Sequence, residues 1–310
     1  MLSFAYTIDV QLRDTLARID QLRTQILALP LSPKDERRLQ WEGTAIRTWA
    51  TLALSGYNTP KQYVATILSH PGKLKRNVMI IQSIRTAYDY IHETWRANPK
   101  PVSLLAMETL FTTLYPGERT RFAAYESKVK ELLHYLETEP EHPLIQSGIA
   151  HIHILTIPGL DDPGLLARAV GYLILAKYGF DLRGYATPDR VWQSDVAYTH
   201  ISGTYTKERQ LNTWLEFMAQ TIQRSYETLL TDIQNERFHI EFPPNFWLLA
   251  DRQKEILKSL EHPEDRVTNR HVQKKYHISQ ITASRDLARL TSLGLLYPHG
   301  KGRAVYYTKI

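Results

Sequence analysis

The sequence predicts a mainly α protein in two parts: a long helical bundle, then a small C-terminal module that ends in a hairpin. Three observations predict it. Apolar residues recur at spacings of three and four through residue 234, no strand-like alternation is sustained before residue 290, and the excess positive charge collects beyond residue 250. With 310 residues, 43% of them hydrophobic and 23% charged, the chain can bury two or three cores.

The bundle is built from amphipathic stretches. Leu12, Leu16, Ile19, Leu22 and Ile26 form one apolar stripe over residues 8–29, which Pro30 and Pro33 end. Further helices are expected over 35–55, 60–69, 74–97, 102–114, 127–138, 143–157 and 162–178. The stretch "LNTWLEFMAQTIQRSYETLLTDIQ" (211–234) closes the bundle, with Trp214, Phe217 and Met218 expected in the core. Pro243 and Pro244 stiffen a linker over 237–246, beside which Trp247 is expected to pack the two parts together. The division is residues 1–34 as an N-terminal helical segment, 35–240 as the helical domain and 241–310 as the C-terminal module.

Composition excludes several classes. No cysteine is present, so disulfides, thiolate metal sites and cysteine nucleophiles are ruled out. No segment approaches the roughly 18 apolar residues of a membrane helix. "MLSFAYTIDVQLRD" does not read as a secretory signal, because it carries acids and no basic start. A cytoplasmic protein is expected. His151 and His153 stand two apart on a helix and face different ways, so they do not form a metal pair. No metal site is expected.

The net charge is +6, and residues 251–310 hold all of it: 12 Lys and Arg against 6 Asp and Glu. The pattern there is helix (251–262), helix (268–276), helix (277–294), then two short strands around a Gly-rich turn (295–309). Thr268 or Asn269 can cap the second helix, Ser279 the third, and Gly294 suits the residue after its end. Helix, helix, helix, hairpin is the order of a winged helix-turn-helix, whose third helix enters the major groove. The outer face of that helix carries Gln280, Ile281, Ser284 and Arg285. Gln and Arg make bidentate hydrogen bonds to adenine and guanine edges, while Ser and Arg can instead hold phosphates. Lys274 and Lys275, with Arg270, add charge on the second helix, and His299, Lys301 and Arg303 on the wing suit a backbone or minor-groove contact. The partner expected is double-stranded DNA. Readers of DNA of this size are often dimers.

One stretch of the bundle asks a separate question. "HIHILTIPGLDDPGLLARAVGYLILAKYG" (151–179) breaks at Pro158-Gly159 and restarts as a helix, as a phosphate-binding turn does. The surrounding segments place it. "RLQWEGTAI" (38–46), "RNVMIIQSIRTAYDYI" (76–91), "YPGERTR" (115–121), "HPLIQSGIAHIHILTI" (142–157) and "NTWLEFM" (212–218) resemble, in order and spacing, the segments of the Fic (Fido) family. That resemblance implies a Fic-like helical domain. Its members transfer AMP from ATP to a protein hydroxyl through the motif H-P-F-x-[D/E]-G-N-G-R-x-x-R. The His is the general base, the acid holds Mg²⁺, the Gly-Asn-Gly backbone nests phosphate and the arginines clamp it.

Here "TIPGLDDPGLLAR" (156–168) stands in that place. Pro158 occupies the position of the His, and Pro163 to Leu166 replace Gly-Asn-Gly-Arg. Only Asp162, at the metal-acid position, and Arg168, at the final Arg, match. "FAAYES" (122–127) is too short for the family's docking hairpin. Asp161 or Asp162 before Pro163 is expected to cap the helix with its carboxylate, which repels phosphate from that end. Glu42 and Gly43 remain of the inhibitory motif, and Glu42 is expected to pair with Arg168 as a scaffold contact.

The reading is a DNA-binding regulator on a catalytically degenerate Fic-like domain, with no cofactor expected and a protein partner or effector as a further role for the bundle. The alternative is an adenylyltransferase with a rewritten motif, using ATP and Mg²⁺ with Asp161 or Asp162 on the metal. A third reading makes both parts protein-interaction modules.

Overall fold

The computed structural model describes residues 4–69, 76–160, 162–194, 196–208, 210–234, 249–260, 265–300 and 305–309. The expected linker, Trp247, Asp161, Lys301 and Arg303 lie outside the described residues.

Fourteen helices and two strands follow in chain order among the described residues. The centre is a hairpin of α7 (Pro143–Leu155) and α8 (Pro163–Lys177). From Gly164 to Lys177 every residue of α8 is buried, which is what an all-round apolar helix requires. Small residues let its neighbours come close. A Cβ on Gly171 would stand 3.3 Å from the His151 ring, and one on Gly148 would stand 2.9 Å from Leu215.

Two apolar clusters flank the hairpin. One joins α8 to α3 (Lys61–Ser69), α4 (Arg76–Thr94), α5 (Leu104–Leu114) and α6 (Arg119–Thr138). The other joins α7 to α1 (Val10–Leu27), α9 (Pro188–Ser194), α10 (Ala197–Glu208) and α11 (Leu211–Gln234). The five-residue stripe of α1 is buried as its spacing predicts, and it lies on α11, which also buries Trp214, Phe217 and Met218. Asn212 fastens the segment before α1 by donating to the Thr7 carbonyl at 2.7 Å and accepting from the Thr7 N–H at 3.2 Å. No helix among the described residues is long and apolar enough to cross a membrane.

Four elements differ from expectation. α6 begins at Arg119, so 122–127 is helix rather than a loop. Phe122, Tyr125, Val129 and Leu132 explain it, being one buried stripe at helical spacing. The short helices α9 and α10 and the 3₁₀ turn over 182–184 were not expected. Their segment is polar, and its aromatic residues sit at irregular spacing.

The helix α2 (Pro33–Leu54) crosses the 3₁₀ turn at Gly43. A Cβ there would fall 2.2 Å from the Gly184 carbonyl oxygen, so only a glycine permits this approach. One helical turn later the Arg47 guanidinium donates to the carbonyls of Ala186 at 2.6 Å and Gly184 at 3.3 Å. Gly43→Ala is expected to lower the unfolding free energy by about 1–3 kcal/mol, the range for overpacking a tight contact, as read from a urea titration.

A third cluster gives the C-terminal residues a core of their own, from Leu249 to Leu296. The order of helix α12 (Asp251–Lys258), α13 (Asn269–Tyr276), α14 (Gln280–Ser292), then strands β1 (Leu296–His299) and β2 (Tyr306–Lys309), is the order expected from sequence. The strands pair antiparallel, and Val267 adds a bridge on the far side of β2 through two bonds with Tyr307.

Candidate functional site

The loop between α7 and α8 does not hold its glycines open. Tyr125 donates its hydroxyl to the Gly159 carbonyl at 2.6 Å, and Tyr115 donates to the Asp162 carbonyl at 2.9 Å. Both donors come from α5–α6, so this neighbour seats the loop through its carbonyls.

Asp162 occupies the N-cap position of α8, but its carboxylate makes no capping hydrogen bond. This corrects the expectation of a carboxylate cap as far as Asp162 is concerned. The residue takes a left-handed backbone, φ 43°, and its side chain bonds Ser55 instead. Ser55 follows the last residue of α2, which no local rule at residue 162 can anticipate.

Arg168 is buried at 2% exposure. Its guanidinium donates to the Thr51 carbonyl at 3.1 Å and to the Ser55 hydroxyl. Thr51 is in the last turn of α2, where the helix dipole favours a cation. The same guanidinium folds back over its own helix start: a Cβ on Gly164 would lie 2.7 Å from Nη1. Asp162 and Arg168 are therefore brought together, with Ser55 accepting from one and donating to the other.

Glu42 does not pair with Arg168, contrary to expectation. Its partner is Arg38, one turn away on α2, at 3.3 Å. The half-buried carboxyl is pushed up from its ordinary range by desolvation and held down by Arg38 and Lys61. Arg168 turns instead to the Thr51 carbonyl and the Ser55 hydroxyl, more than two helical turns further along the chain from Glu42.

Around Arg168 lies a buried polar group that sequence did not single out. Asp189 is 2% exposed; burial raises its carboxyl, against the pull of Arg47 and Arg168. The Arg47 guanidinium also lies 4.0 Å over the Tyr172 ring. His151 meets the Tyr198 hydroxyl at 2.8 Å, and His92 meets Tyr172 at 2.7 Å. An Arg inside the apolar run "TAIRTWATLAL" was the one available signal. His153, by contrast, is half-buried and meets the Lys128 carbonyl at 3.2 Å.

The second site is the C-terminal module. Thr268 caps α13 and Ser279 caps α14, each hydroxyl accepting from a backbone N–H at 3.2 Å. Gly294 ends α14 at φ 69°. Asp286, buried on the inner face of α14, accepts from Arg252 at 2.6 Å and Gln253 at 2.8 Å and ties α12 to it. These bonds orient α14 so that Gln280, Ile281, Ser284 and Arg285 face outward and are exposed, together with Lys274, Lys275 and Arg270 on α13.

His299, expected on the wing, is half-buried. It lies within β1, meets Thr308 at 2.9 Å and stacks on Tyr306 at 4.8 Å. Burial lowers its pKa, and the Arg37 charge lowers it further. Its ring lies between two aromatic neighbours of the hairpin, Tyr297 and Tyr306.

The module docks on the bundle through its other end. Thr66 of α3 donates to the Ser292 carbonyl at 3.2 Å, and Arg85 of α4 donates to the Tyr297 hydroxyl at 3.4 Å. The N-terminal half of α14 points away from these contacts.

No family model matches the chain, and no curated protein matches it. Solved structures do. A Fic family protein from Desulfovibrio desulfuricans G20 superposes with a TM-score of 0.63 and 16% identity, over 100% of this chain and 98% of that one. A Fic domain containing signaling protein from Bacteroides thetaiotaomicron VPI-5482 gives a TM-score of 0.57 and 13% identity, over 71% of this chain and 98% of that one. The chain has the Fic fold.

His151 is pushed down to about 3 by burial and by Arg168, and His92 to about 2 by burial and by Arg47, Arg96 and Arg85. Both rings are neutral when folded and regain their ordinary value near 6.5 when unfolded. The unfolded chain then binds more protons, so stability is full above that value and is lost as pH falls toward 3. Urea midpoints measured from about pH 7 down to pH 4 should fall. They should fall less steeply in His151→Gln; an unchanged slope in that variant would count against a neutral buried imidazole.

Proposed function

We propose that this protein is a DNA-binding regulator: a Fic-fold bundle, without the machinery of AMP transfer, carrying a winged helix-turn-helix over residues 241–310. One observation carries the reading. The half of α14 that bears Gln280, Ile281, Ser284 and Arg285 is exposed, while the opposite end of the module rests on the bundle. The charge asymmetry supports it, since the chain's whole excess of +6 belongs to residues 251–310. Lys274 and Lys275 hold phosphates, Lys301 and Arg303 do so from the wing, and the α14 residues meet base edges. A homodimer on a two-fold symmetric site and an effector or protein partner held by the bundle complete the proposal.

The loop chemistry supports the first half. Proline stands where the base belongs, Pro163 offers no N–H to a phosphate, and one nitrogen of the Arg168 guanidinium, Nη2, donates to the end of α2. These residues do not fit a nucleotide and its Mg²⁺.

A gel-shift titration over salt tests the proposal, using a labelled pool of random duplexes. The logarithm of affinity should fall with log salt by about 0.9 for each phosphate neutralised, and Lys274→Ala with Lys275→Ala should reduce that slope by about 2. Absence of binding to any duplex at low salt overturns it.

One observation favours the adenylyltransferase alternative: Asp162 and Arg168 still meet through Ser55. Incubation with labelled ATP and Mg²⁺ decides the point. We expect no label on the protein or on lysate proteins, and transfer of label would restore the enzymatic reading.

A further inference from the structure

We infer that Ile281 is a specificity-determining residue that takes the 5-methyl group of a thymine in the major groove. The inference rests on the DNA-binding reading above and adds what that surface selects. Ile281 lies in the first turn of α14 and is 65% exposed. Among the described residues of the C-terminal module it is the one large hydrophobic side chain left so exposed. It contributes nothing to the module's core, which closes with Ala283, Leu287 and Leu290 on the opposite face of the helix. Its surroundings are polar and charged: Gln280, Ser284 and Arg285. Of the groups in the major groove, the thymine methyl is the apolar one, and an aliphatic side chain reads it by contact.

A second feature of the same face fits the same base. Asn269 donates one amide N–H to the Ser284 hydroxyl oxygen at 2.7 Å and the other to the Gln280 carbonyl at 3.3 Å. The carbonyl can only accept, which fixes the orientation of the amide. Its oxygen in turn accepts from Gln273. The chain of bonds runs one way, Gln273 to Asn269 to Ser284, and leaves the Ser284 hydroxyl proton to be donated outward. Ser284 stands three residues after Ile281, hence on the same face one turn along. An apolar group beside a directed donor complements the thymine edge, where the methyl group adjoins the O4 acceptor.

The experiment starts from the intact protein and a random duplex pool. Selection gives the preferred duplex, and each of its thymines is then replaced singly by uracil, which lacks only the methyl group. At one thymine in each site bound by a module, wild-type affinity should fall about fourfold, the worth of one methyl removed from water. Ile281→Ala should bind the thymine and uracil duplexes alike; its side chain is solvent-facing, and circular dichroism verifies that the variant folds. Ser284→Ala should weaken binding yet keep the thymine–uracil difference. Selection of a duplex in which no thymine is sensitive to the exchange overturns the inference while leaving DNA binding intact. So does a thymine–uracil difference that survives in Ile281→Ala. Failure to retain any duplex overturns both readings together.

Discussion

A helix with no solvent-facing side dictates what must surround it. α8 is such a helix, and the arrangement of the bundle follows from covering it: α7 along its length, α4 and α5 on one side, and the α9–α11 group completing the shell around α7. The same constraint makes Arg168 expensive, since a guanidinium has been carried into that interior. The last turn of α2 meets the cost with the Thr51 carbonyl and the Ser55 hydroxyl, and Asp162 and Asp189 offset the charge. Charge satisfaction and helix placement are thus one requirement. α2 must end where Arg168 points, and the bare Cα of Gly43 sets how closely α2 lies on the turn below it.

The interior polar groups seat the loop before α8. A phosphate-binding turn needs free N–H groups and an unengaged cation. Here the N–H count is cut by proline, the loop carbonyls are covered by Tyr115 and Tyr125, and the cation serves the fold. The polar residues that remain act between helices.

Much of this was legible in the sequence, and the limits have physical causes. The α1 stripe, the buried trio on α11, the caps Ser279 and Thr268 and the glycine after α14 depend on neighbours within a turn or two, so local spacing suffices. The outward residues of α14 follow from the same periodicity. The side chain of Asp162 went elsewhere because its partner, Ser55, is remote in sequence, and a local capping rule cannot weigh a tertiary competitor. Glu42 likewise found Arg38 beside it before any distant arginine. His299 looked available as a wing residue because nothing in the sequence says that Tyr297, Tyr306 and Thr308 will enclose its ring. α9 and α10 escaped notice because tertiary contacts of Trp192 and Tyr198, rather than an apolar repeat, hold them in place.

The grip on the C-terminal module has a mechanical side. α14 is held near one end, at Ser292, and just beyond it at Tyr297, by residues of α3 and α4. Its outward-facing residues Gln280, Ile281, Ser284 and Arg285 are at the other end. Thirteen residues of helix make a rod about 20 Å long, so a tilt of about 5° at the held end sweeps the free end through about 2 Å. That distance is comparable to the margin between a hydrogen bond made and one lost. The bundle therefore holds the module as a hand holds a pointer: small at the wrist, large at the tip.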